Sequence, residues 1–192
     1  DFIGTVKKVA DIGYDGIELA GMGNLTAKEL KNVLDDLGLK AVSSHVALEL
    51  MEKDLNKQID DALTLGLKYV AVPYLADTRR KSREDYINIA NTLQDLGEKW
   101  GKEGVQLCYH NHNFEFEKFD GSYGFDILYG NTDSSKLQVE LDTFWVTYSG
   151  LDPIEYLHKY AGRVPLVHLK DMIKGELKEG VIPFAEVGEG RM

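Results

Sequence analysis

The sequence predicts an α/β fold of the (β/α)8 TIM barrel type, with six βα units carried by a single domain of 192 residues. Three observations predict it. Strand and helix signals alternate strictly along the chain, which calls for a parallel sheet with right-handed crossovers. Ionisable residues recur at the C-terminal ends of the apolar strand segments: Glu18, His45, His110 with His112, Glu140 with Asp142, and His168 with Lys170. That is the end at which a barrel gathers its chemistry. An open nucleotide-binding sheet would instead place a glycine-rich phosphate loop after a strand, and the nearest stretch, Gly21-Met-Gly23, lacks the third glycine.

In chain order, Phe2, Val6, Val9, Ala10 and Ile12 form a helical stripe stopped by Gly13, and Gly16–Ala20 reads as a short strand. Thr26 with Glu29 three residues on is a capping-box signal, opening a helix that Gly38 stops. Leu39–Val46 is a second strand, followed by a helix from about Lys53 to Leu65, Gly66, and a strand at Tyr69–Pro73. A longer helix over Arg83–Lys102 delivers the strand beginning at Val105. A short helix near Phe125–Tyr129, a strand at Leu137–Trp145, a helix at Pro153–Tyr160 and a strand at Val164–Asp171 complete the pattern.

The stretch around which these elements are organised is Val105–Glu117, V-Q-L-C-Y-H-N-H-N-F-E-F-E. Read as a strand, it places Cys108, His110 and His112 on one side and Leu107, Tyr109 and Asn111 on the other. The formal net charge of −10 argues against nucleic acid as a partner, because phosphate binding needs clustered Lys and Arg. The one basic cluster, Arg79-Arg80-Lys81-Ser82-Arg83, reads as a solvated loop and helix start. The single cysteine, Cys108, rules out an internal disulfide framework, fits a reducing cytoplasm and is expected to be buried. No segment approaches the ~20 apolar residues of a membrane span, and the chain opens directly on helical sequence with no leader pattern.

Four motifs in order give the chain a resemblance: G-Y-D-G-I-E-L at Gly13–Leu19, L-D-T-F-W at Leu141–Trp145, V-H-L-K-D at Val167–Asp171 and V-G-E-G-R at Val187–Arg191. They resemble the sugar phosphate isomerase/epimerase family, with its xylose isomerase-like TIM barrel, across essentially the whole chain. On that pattern Gly16–Ala20 matches the family's second strand and Val164–Asp171 its seventh. The family's first strand would then lie before Asp1 and its eighth after Met192, so an incomplete barrel is expected.

The resemblance implies one divalent metal, Mn, Co, Zn or Mg, held by a Glu, an Asp, a His and a Glu on the family's fifth to eighth strands. Asp142 and His168 match the Asp and the His. At the fifth-strand position stands His110, with Glu115 five residues further, and either could supply the ligand. Imidazole and carboxylate together suit Mn, Co, Zn or Fe better than calcium. The implied activity is isomerisation or epimerisation of a small keto-sugar or polyol through an enediolate. The implied acid–base groups are Glu115 and His112, with Lys170 against the developing oxyanion and Glu18, His45 and Trp145 lining the substrate pocket. A lyase or dehydratase acting on a keto-inositol or 3-keto-glycoside is the alternative, favoured by the Tyr-His-Asn-His run. A non-catalytic sugar-binding barrel is a third reading. Each assignment competes with a plainer one: His45 as a satisfied core histidine, Glu18 as a buried brace, Asp142 as a helix cap, and Trp145 as loop packing. The expected partner is a small sugar or polyol; homo-oligomer formation is left open.

Overall fold

The computed structural model of the protein describes residues 1–175 and 181–191. Its contacts divide the chain into two compact units, Asp1–Pro73 with Asp95–Cys108, and Tyr74–Gln94 with the residues from Tyr109 onward. The long helix α5 (Arg83–Lys102) and the strand β4 (Gln106–His110) contribute residues to both.

The first unit holds α1 (Phe2–Ile12), β1 (Gly16–Leu19), α2 (Ala27–Asp36), β2 (Lys40–His45), α3 (Leu48–Lys53), α4 (Leu55–Leu65) and β3 (Tyr69–Val72). β1 pairs with β2 and β2 with β3, both parallel. β4 begins beside β3, where the Gln106 N–H donates to the Lys68 carbonyl at 2.9 Å. The Thr26 capping box is formed in both directions, with the Thr26 hydroxyl accepting from the Glu29 N–H and the Glu29 carboxylate accepting from Thr26. The helix expected from about Lys53 to Leu65 is present as α4, and a further short helix, α3, precedes it. Asp54 leaves helical geometry (φ −155°, ψ 79°) and its carboxylate accepts from the Lys57 N–H, so it ends α3 and caps α4. Leu30, Leu34, Leu48, Val70–Val72 and Trp100 are buried and give this unit its core.

The second unit holds the end of β4, a 3-10 turn at Phe114–Phe116, α6 (Gly124–Gly130), β5 (Leu137–Asp142), α7 (Thr143–Tyr148), α8 (Pro153–Lys159) and β6 (Leu166–His168). The order in its part of the sheet is β4, β5, β6, and β5 and β6 run parallel with Asp142 opposite His168. Two short antiparallel pairs accompany it, Lys118–Phe119 with Ser122–Tyr123 and Asp171–Met172 with Phe184–Ala185. The core is aromatic: Phe125 packs on Tyr129 at 4.7 Å between centroids, on Phe116 at 5.4 Å and on Tyr156 at 5.4 Å. Arg163 spans the base of this unit, its guanidinium donating to the carbonyls of Leu137 (3.0 Å) and Tyr129 (2.8 Å). That fixes where β5 starts, and therefore which of its side chains end at the top.

Two elements stop short of the sequence expectation, for identifiable reasons. The strand expected over residues 105–117 ends at His110, because Glu115 turns back onto its own chain and the Phe114–Phe116 turn forms. The strand expected to run to Trp145 ends at Asp142, whose carboxylate accepts from the Trp145 N–H at 3.3 Å and starts α7. Cys108 is buried, as its apolar strand requires. Among the described residues no helix is long and apolar enough to cross a membrane.

The V-G-E-G-R segment is held by one side chain. The Asp171 carboxylate accepts from the N–H groups of Met172 (2.7 Å), Gly188 (3.0 Å) and Gly190 (2.9 Å). A Cβ on Gly190 would lie 2.1 Å from Asp171 Oδ1 and 2.3 Å from the Met172 carbonyl oxygen, which cannot swing aside. Gly190→Ala should therefore break this anchorage. The expected result is a fall of about 100-fold in hydrogen-exchange protection at the Gly188 and Gly190 amides, the equivalent of an overpacking penalty near 3 kcal/mol. Unchanged protection would show that Asp171 does not fasten the segment.

Candidate functional site

Three neighbouring strands of the second unit each bring ionisable side chains to their C-terminal ends. β4 supplies His110, β5 supplies Glu140 and Asp142 two residues apart and therefore on one face, and β6 supplies His168. Glu140 and Asp142 are fully buried, His110 is 3% exposed, and His168 is 25% exposed, which leaves the cluster open on its His168 side.

The two imidazoles bridge the two carboxylates. His110 Nδ1 lies 2.7 Å from Glu140 Oε1 and its Nε2 lies 3.5 Å from Asp142 Oδ2. His168 Nε2 lies 3.1 Å from the same Glu140 oxygen and its Nδ1 lies 3.9 Å from Asp142 Oδ2. The rings are 4.6 Å apart at their centroids. Lys170, two residues beyond His168, donates from Nζ to Asp142 Oδ2. The Thr143 hydroxyl donates to the carbonyls of His168 (3.2 Å) and Lys170 (3.4 Å), fastening the end of β6 to the start of α7.

Burial lowers the His110 pKa, with His168 pushing the same way against the hydrogen bond to Glu140 and the charges of Glu140 and Asp142. The neutral ring favoured in this way is the form that binds metal ions. One ligand atom from each of His110, Glu140 and His168 falls within 4.8 Å of the others. Two imidazole nitrogens and a carboxylate oxygen converging in this way fit a divalent transition ion by donor type.

His112 lies beyond the end of β4 and still reaches this region: its ring is 5.1 Å from His110 and 5.2 Å from Trp145, and it stacks on Phe114 at 5.5 Å with an interplanar angle of 4°. Phe114 is covered in turn by Arg80, whose Cζ is 3.7 Å from the ring centroid. Arg80 is thus a packed cation with a side chain 16% exposed, not the solvated loop residue its basic neighbours suggested. Trp145 is half-buried, between His112, Phe144 and Phe184.

Glu115 is placed differently from its expected position at the reacting centre. It is fully buried, its carboxylate accepting from the Tyr109 hydroxyl and from the His112 N–H at 2.8 Å. Tyr109 and His110 are consecutive in a strand and point to opposite faces, so Glu115 sits behind the strand from His110. Burial pushes its pKa up to about 7 against those hydrogen bonds, and Tyr109 is raised as well, by burial first and then by Glu115.

Glu18 and His45 meet within the first unit. Glu18 accepts from the Ser43 hydroxyl and lies 3.4 Å from His45 Nε2, with side chains 23% and 17% exposed. Glu140 was visible in the sequence as the partner of Asp142 but carried no role there. The signal was its place two residues before Asp142 in an otherwise apolar strand.

Comparison with known proteins adds to this geometry. Residues 6–191 match the family described as Xylose isomerase-like TIM barrel. Inosose dehydratase of Clostridium botulinum is 26% identical over 188 residues, covering 88% of this chain and 62% of its own length. Inosose dehydratase of Clostridium beijerinckii is 27% identical, covering 92% of this chain and 65% of its own. The chain thus spans a little under two thirds of these relatives. Among solved structures, a sugar phosphate isomerase/epimerase from Parabacteroides distasonis is 27% identical and superposes with a TM-score of 0.80, over 92% of this chain and 72% of that one.

Proposed function

Since the chain belongs to the xylose isomerase-like TIM barrel family, we propose that it is a metal-dependent lyase that removes water from a small keto-polyol of the keto-inositol class. The observation that carries this reading is the buried set of His110, Glu140, Asp142 and His168 with Lys170 at its edge. The inosose dehydratases among its relatives support a dehydration. On that support we place dehydration ahead of the isomerisation or epimerisation that the sequence put first. Isomerisation or epimerisation of a keto-sugar stands second, favoured by the 27% identical solved structure.

A divalent transition ion such as Mn, Co or Zn, held by His110, Glu140 and His168, would supply Lewis acidity toward the substrate's carbonyl oxygen. Glu140 is preferred to Asp142 as the carboxylate ligand because it is nearer both rings, and Asp142 already holds Lys170. His112 takes the proton from the carbon next to the carbonyl, replacing Glu115, whose carboxylate is committed behind the strand. Lys170 gives a proton to the departing hydroxyl; the C–O bond breaks as the C=C bond forms, and the products are an enone and water. Exchange with solvent restores both groups. Trp145 presents a half-buried ring beside His112 on which the C–H face of a polyol ring can rest.

The test is to incubate the protein and Mn2+ with a keto-inositol and, separately, with ketohexoses. Enone absorbance rising with the keto-inositol alone is expected. A ketohexose converted to its epimer or aldose without new absorbance would overturn dehydration in favour of the second reading.

A further inference from the structure

Asn111 is fully buried between His110 and His112, and both ends of its amide are spent on the main chain of one residue. Its Oδ1 accepts from the Asp142 N–H at 2.9 Å, and its Nδ2 donates to the Asp142 carbonyl at 3.3 Å. β4 ends at His110, so a backbone partner in the strand can no longer provide these two bonds. The side chain continues the ladder by one rung with an amide in place of a peptide.

What hangs on that rung is the most heavily committed residue of the cluster. Asp142 caps α7 through Oδ1 and holds Lys170 through Oδ2, the oxygen that faces both His110 and His168. Its main chain is the fixed point of these contacts. The peptides on either side of Asn111 also set His110 and His112, whose rings are 5.1 Å apart. One residue therefore couples the histidines of one strand end to the carboxylate of the next. Displacements of about 1 Å in such an arrangement are enough to change rates and affinities by orders of magnitude.

We propose that Asn111 is a positioning residue of this site, its amide clamping the Asp142 main chain so that the carboxylate and Lys170 stand in register with His110 and His168. The inference rests on the metal-site reading given above. An alanine leaves both Asp142 groups unsatisfied. An aspartate can still accept from the Asp142 N–H but loses the bond to the carbonyl. Tyr129→Phe is a control in the same unit: it removes the bond from the Tyr129 hydroxyl to the Tyr109 carbonyl, 3.0 Å in the native protein, without touching Asp142.

The experiment is Co2+ titration of the full chain and the three variants, followed by visible absorbance, with thermal melting of each alongside. Asn111→Ala and Asn111→Asp are expected to weaken Co2+ binding by roughly 10–100-fold and to alter the spectrum at saturation, because Asp142 backs the imidazoles of His110 and His168 and loss of such an outer contact has that effect elsewhere. Tyr129→Phe should melt earlier than the native chain with native affinity and spectrum. Native Co2+ binding by both Asn111 variants would overturn the inference while leaving the metal site standing, as would an equal loss of affinity in Tyr129→Phe. A native chain that binds no Co2+ would overturn the metal-site reading itself, and the inference with it.

Discussion

Glu140→Gln should strip the protein of bound metal and of activity together. Its carboxylate oxygen is 2.7 Å from His110 and 3.1 Å from His168, nearer to both rings than Asp142 Oδ2. Glutamine keeps the volume and offers a neutral carbonyl oxygen, so packing survives while the anionic donor is lost. Metal affinity should fall by more than the roughly 10–100-fold typical of groups one step removed from the ion, and kcat/KM should follow. Asp142→Asn should retain more metal than Glu140→Gln, since Asp142 is tied to Lys170 and to the start of α7. Metal stoichiometry by elemental analysis after gel filtration, read beside a steady-state assay, checks both. A Glu140→Gln protein that keeps a full equivalent of metal would remove Glu140 from the ligand set.

Glu115 should make folding stability fall as pH rises from 4.5 to 7. Its pKa is about 7 in the folded chain against an ordinary 4.5. Between those values the unfolded chain ionises while the folded chain keeps its proton, so the folded state binds more protons and loses stability with rising pH. Below 4.5 both states are protonated and the effect vanishes; above 7 it is complete. The displacement corresponds to about 3 kcal/mol, with the carboxyl fully buried. Glu115→Gln mimics the protonated acid beside Tyr109 and the His112 N–H, so it should match the native protein near pH 4.5 and exceed it by that amount at pH 8. Urea unfolding at the two pH values measures the difference free of other titrating groups. A constant gap between the two proteins would show that folding leaves the Glu115 carboxyl unshifted.

The alternation of elements was legible because each boundary had a local cause. Thr26 with Glu29, Gly13, Gly66 and Pro153 all act within one helical turn, and all do what their chemistry requires. Three of the cluster's members, His110, Asp142 and His168, were legible as polar residues ending apolar strands. Glu140 acquires its role only through distances to residues on two other strands, which no local pattern encodes. Glu115 misled for the converse reason. Its candidacy came from the resemblance, which wants a carboxylate near the end of this strand, whereas the alternation puts residue 115 on the Tyr109 side, the backbone turns at Phe114–Phe116 and the carboxylate accepts from Tyr109. Arg80 misled because its neighbours are basic, while its packing depends on Phe114, far along the sequence.

The burial of Glu140 and Asp142 beside two imidazoles and an ammonium has a consequence for the protein's history. Taking two carboxylates out of water is unfavourable, and replacing buried ionic groups with neutral ones of similar volume is often neutral or stabilising. In the absence of an ion, a population of variants selected for thermal resistance alone would therefore drift away from acid at position 140, while Asp142 would keep its value as the cap of α7. The residues now there lie on the side of the trade-off where durability is given up for reactivity, in the pattern by which working sites are the locally least stable parts of otherwise consistent structures. Stabilising this protein by engineering should begin at the aromatic core around Phe125 and leave the ends of β4, β5 and β6 alone.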